Sequence, residues 1–142
     1  GFPYHIAMAF TGEEVLLNRI EANVALNNLE EALSDLQVLT DNRYRGASAE
    51  ITMDLLREFF GAENDPTFTD QLILLNYLLF ERRKEFIGQG LRWFDIKRYG
   101  IAVVHDLEDQ ISTIRLDNDD RRRVLQIPQS AIDVGGLEPN PR

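Results

Sequence analysis

Glu81 and Glu85 stand one helical turn apart in FERRKEFIGQGLRWFDIKRYG, residues 80–100, a spacing at which two acids can divide into proton donor and base. Arg82, Arg83 and Lys84 lie among them, and cations interleaved this densely favour ion pairing over such a division. A salt-bridge network is the expected role, ahead of a glycoside-cleaving pair. His5 and His105 lie 100 residues apart with no HxxxH or HExxH spacing, so surface or capping roles are expected and no zinc site. There is no cysteine, hence no disulfide and no thiolate metal site. GxSxG, Walker and GxGxxG patterns are absent, and Gly88-Gln89-Gly90 is too short to cradle a phosphate. No nucleophile, metal set or cofactor box emerges, which makes a non-enzymatic role the expectation.

The segment from Arg92 to Tyr99 mixes cations with aromatics, a combination that can stack on bases. The chain as a whole carries a net charge of -9, and nucleic-acid binding rests mainly on neutralising phosphate. No nucleic-acid partner is expected, and the same field disfavours anionic lipid surfaces. At helical spacing Trp93, Ile96 and Lys97 share a side with Gly100, while Arg92, Asp95, Arg98 and Tyr99 can pair at three and four apart. Trp93 is accordingly expected in the core.

The elements that hold these side chains are mostly helical. Thr11-Gly12-Glu13-Glu14 fits a capping box, and Leu16, Ile20 and Val24 follow as a stripe until Asn27-Asn28. Leu29, Leu33 and Leu36 repeat the pattern, giving an antiparallel helix pair over about 11–39 whose axes Ala22, Ala25 and Ala32 would let approach. Ser48 is the expected cap of a helix over about 48–60, and Thr69 or Asp70 that of one over about 70–87. The first half of the latter is apolar nearly all round, so more than the 11–39 pair must cover it. Gly88 and Gly90 end that helix, and a short one over about 91–99 closes at Gly100. STIRL and RVLQIP flank DNDD and predict a hairpin over about 112–128, with a last helical turn and an extended tail over 129–142. One domain is the expectation for 142 residues, 44% of them hydrophobic. A start at Gly-Phe-Pro in mid-pattern reads as a piece of a longer protein.

The stretch from Glu81 to Arg98 closely resembles the pattern E-R-R-x-E-x-x-x-E/Q-G-x-R-W-x-D-x-K-R of the SusD/RagB family, nutrient-binding lipoproteins of the outer membrane. Arg82, Arg83, Glu85, Gly90, Arg92, Trp93, Asp95, Lys97 and Arg98 match it one by one. Glu14, Glu21 and Ala22 match the family's preceding helix pair, and Ile127, Pro128, Asn140 and Pro141 its closing I-P and N-P segments. Thr11-Gly12-Glu13 departs from the usual Arg-x-Ala, Asn23 from the usual second Glu-Ala, Ala131 from the usual Glu, and Arg142 from the usual Gly-Tyr ending.

The resemblance implies a mainly α fold: a tetratricopeptide-like antiparallel helix pair, further helices and a small C-terminal β-hairpin, together forming the last portion of a longer protein. It implies a glycan- or nutrient-binding subunit, lying over a TonB-dependent outer-membrane transporter and held at the cell surface by an N-terminal lipid anchor that this chain does not include. It also implies that the residues matched between Arg82 and Arg98 frame the fold and carry no chemistry. Ligand-contacting residues vary between members, and none transfers to a numbered position. The competing reading is a helical-repeat module for protein–protein interaction, since the 11–39 pair has repeat-like proportions. Such an array would continue with a second similar pair, whereas here an unlike helix and a hairpin follow.

Overall fold

In a computed structural model of the chain, residues 11–43, 49–63, 65–106 and 113–140 are described. The described chain divides into two compact units at Ile87/Gly88.

In the first unit, the Thr11 hydroxyl accepts the Glu14 amide at 3.1 Å and opens helix α1 (Gly12–Ala25). The helix ends where Asn27 takes φ 61, and the amides of Asn27 and Asn28 return to the carbonyls of Val24 and Asn23. Asparagine tolerates this left-handed position, and the paired return bonds turn the chain sharply into α2 (Leu29–Arg43). The two helices run antiparallel and lock through Arg19, whose guanidinium donates two bonds of 2.6 and 2.7 Å to Asp35. Ala32 is fully buried, but Ala22 and Ala25 are exposed, so only one of the three small residues serves close approach.

Helix α3 (Met53–Phe59) is shorter than its apolar spacing predicts. Gln37 on α2 explains why: its side-chain oxygen accepts the Ile51 amide at 2.8 Å and its nitrogen reaches the Ala49 carbonyl at 3.4 Å. Ala49 and Ile51 are therefore tied to α2 outside the helix, and Thr52, not Ser48, caps it by accepting the Leu55 amide at 3.2 Å. Ser48 lies outside the described residues. Thr69 caps α4 (Asp70–Glu85), as its position predicts. Ile73, Leu74 and Leu78 of α4 are fully buried against Leu17 and Ile20 of α1 and Leu36 of α2, with Leu56 of α3 closing the cluster. Helix α4 also caps a neighbour, since Gln71 donates to the Val24 carbonyl at 2.7 Å.

In the second unit, Gly90 at φ 76 precedes α5 (Leu91–Arg98). Gly100 ends that helix at φ 62, and the Ile101 amide returns to the Ile96 carbonyl. The hairpin exists but differs from the one predicted. Strand β1 (Val103–Asp106) pairs antiparallel with β2 (Thr113–Leu116), in register Val103 to Leu116 and His105 to Ile114. The segment expected as the first strand is here the second, and RVLQIP, expected as the second, forms no strand. Its start winds into a 3-10 turn at Arg121–Arg123, where Asp120 accepts the Arg122 amide at 2.9 Å and grips its guanidinium, and 124–128 has no regular structure. Helix α6 (Gln129–Gly135) follows. The tail then runs back along residues 125–126, the Gln126 side chain exchanging two bonds with the Asn140 backbone.

Candidate framework site at residues 81–98 and its surroundings

The residues of the family pattern fall into two groups, one at the end of α4 and one on α5. On α4, Glu81 is only 6% exposed and accepts bonds from Arg43 at 2.7 Å and from Lys84 at 2.5 Å. The second amino nitrogen of Arg43 bonds Glu85. One guanidinium thus clamps both carboxylates of the candidate acid pair and ties the end of α2 to α4. Acid–base division of labour needs two unlike environments, and a shared cation supplies one. Arg82 is buried as well: it donates to Asn18 on α1 at 2.8 Å, lies 3.9 Å from Glu21 and covers the Phe86 ring at 5.2 Å. Arg83 points to solvent.

On α5, Asp95 is 1% exposed and accepts two bonds from Arg98, at 2.7 and 3.2 Å. Arg98 in turn covers the Tyr99 ring at 4.8 Å. The burial of Asp95 settles the position of Trp93. Side chains two residues apart on a helix point about 200° from each other, so one of the two must face outward. Trp93 is 42% exposed, which corrects the expectation that it sits in the core. It lies between two cations, Lys97 at 6.0 Å and Arg123 at 5.8 Å from the ring centroid. Arg92 is half-buried, Ile127 is half-buried, and Pro128 leads directly into α6.

Arg123 was not singled out by the sequence, yet it is the best-buried cation among the described residues of this unit. At 4% exposure it donates to the Asp117 carbonyl at 3.0 Å and to the Ile96 carbonyl at 3.1 Å. The same Ile96 carbonyl closes α5, so this side chain joins the helix end to the turn after β2. The readable signal was Asp120 followed by three arginines, a side-chain cap and its donors. Asp120 is pulled down to about 2, chiefly by its side-chain bonds to Arg122 and then by the Arg122 amide. His105 is exposed on β1, and His5 lies outside the described residues. Among the described residues no cluster of His, Asp and Glu is arranged to hold a metal.

A second feature lies on the outer side of α3 and α4. Leu55, Leu56, Glu58, Phe59 and Tyr77 line an open groove of about 410 Å³. The Phe59 ring meets Phe60 at 5.0 Å, and Tyr77 and Phe80 at 5.7 Å each, and it remains 55% exposed.

Against this geometry, comparison with known families is decisive. The model of the SusD family matches residues 13–141. The chain belongs to the SusD family. The match embraces both groups of pattern residues, the helix pair and the closing Ile127-Pro128 segment. No curated protein and no solved structure matches the chain. SusD-family proteins are generally nutrient-binding proteins of the outer membrane and generally not enzymes. In this member two of the pattern's contacts join elements, Glu85 (with Glu81) to Arg43 of α2 and Arg82 to Asn18 of α1, while Asp95 and Arg98 pair within α5.

Proposed function

We propose that this chain is the C-terminal portion of a glycan- or nutrient-binding subunit of a TonB-dependent outer-membrane uptake system, and that the subunit works without catalysis. The observation that carries the reading is the SusD-family match over residues 13–141. The ion pairs agree with it, because the acids best spaced for chemistry are spent on holding α2 and α4 together. In this reading the residues from Arg82 to Arg98 are a frame: they fix helix ends and leave ligand contacts to other surfaces. Lipid anchoring at the cell surface belongs to the same proposal. Among the described residues no helix is long and apolar enough to cross a membrane.

The helical-repeat alternative is less well supported. Among the described residues, α1 and α2 are followed by helices of seven, sixteen and eight residues that form no second matching pair, and then a hairpin. The test is co-isolation: the tagged polypeptide carrying this chain, purified from mildly solubilised outer membranes, should bring down a TonB-dependent barrel in stoichiometric amount. Recovery from the soluble fraction with no barrel would refute the proposal.

A further inference from the structure

The groove between α3 and α4 adjoins a second hollow of about 360 Å³, lined by Asp54, Arg57, Glu58 and Glu63, and Glu58 belongs to both. Arg57 is already committed, since its guanidinium bonds Asp70 and reaches the Ala62 carbonyl. Asp54, Glu58 and Glu63 are exposed and form no ion pair among the described residues. An apolar groove with a half-exposed phenylalanine therefore shares one wall with a patch of uncompensated negative charge.

We propose that this face docks a cationic amphipathic segment of a partner protein. Its apolar side chains would enter beside Phe59 and Leu55, and its lysines or arginines, about one turn further on, would meet Glu58, Asp54 and Glu63. Two observations favour this occupant over others. A second copy docking symmetrically would set this patch against itself and bring like charges together. A sugar needs several convergent donors and acceptors, whereas Glu58 and Tyr77 are the polar side chains lining the groove.

The test uses the full polypeptide that carries this chain and two labelled synthetic helices read by fluorescence anisotropy. One carries leucines at i, i+3, i+4 and i+7 with lysines on the flanks; the other has glutamates in place of the lysines. The lysine peptide should bind saturably, one per chain, and the glutamate peptide at least about tenfold more weakly. Phe59→Ser and Glu58→Gln, both at exposed positions, should each weaken binding about tenfold, and added salt should weaken it further. Glu30→Gln, on the exposed side of α2, should leave it unchanged. Equal loss in the Glu30 variant would mean diffuse attraction to an acidic chain and would overturn the proposal. So would binding indifferent to Phe59→Ser, self-association abolished by that change, or an oligosaccharide bound through Phe59.

Discussion

A tryptophan between two cations and an arginine under two carbonyls make opposite demands on their surroundings. Trp93 keeps 42% of its surface in water, so Trp93→Ala empties only part of a site. The expected cost is about 1–2 kcal/mol, below the roughly 3–5 kcal/mol for a fully buried aromatic. Arg123→Ala removes the buried donor to Ile96 and Asp117 and should cost more, about 2–3 kcal/mol. Urea unfolding of the two variants gives the order directly, and a larger loss at Trp93 would contradict it. Asp120 offers a separate check. Its folded value of about 2 lies below the ordinary 3.8, so the Arg122 contact adds stability above the ordinary value. That contribution fades as pH falls from near 4 through about 2. An NMR titration of the Asp120 carboxyl should show its midpoint near 2, moving up towards 3.8 in Arg122→Gln. An unchanged midpoint would show that the guanidinium is not the cause.

Helix α4 packs against α1, α2 and α3 in the first unit, and its faces differ sharply. Leu74 is fully buried while Leu72 is 40% exposed, so Leu74→Ala should cost about 2–5 kcal/mol and Leu72→Ala below about 1 kcal/mol. Thermal melts of both variants test this, and similar losses would mean the face of α4 is assigned wrongly. At the end of α5, an alanine at Gly100 would have to take φ 62 and bring its Cβ to 3.1 Å from the Asn118 side chain. Gly100→Ala should therefore lower stability by about 1 kcal/mol or more. Helix starts and stops with a strong local cause were legible in the sequence: Thr11 and Thr69 as caps, Asn27 and Gly100 as stops. The misses came from one bond between distant residues and one local side-chain cap. Gln37 captures residues 49–51 and delays α3, and Asp120 draws the arginines into a turn, leaving Val103 and Val104 to supply the strand. Two adjacent valines were the available signal for that strand. The ion pairs on α4 were legible in kind, but Arg43, their central partner, lies too far along the chain for spacing to reveal it.

At the scale of the molecule, membership of the SusD family, whose proteins are generally binding proteins, and carboxylates clamped by a shared arginine support the proposed reading of binding without turnover. The net charge of -9 disfavours nucleic acids and anionic surfaces, and in the proposed reading the pattern residues serve the frame. Binding without turnover is most directly tested with the polypeptide that carries this chain, titrated calorimetrically against a panel of soluble glycans, with the same samples assayed for new reducing ends. Saturable binding to at least one glycan class with no reducing ends above buffer is the predicted result. Release of reducing ends that Glu81→Gln or Glu85→Gln abolishes would contradict it.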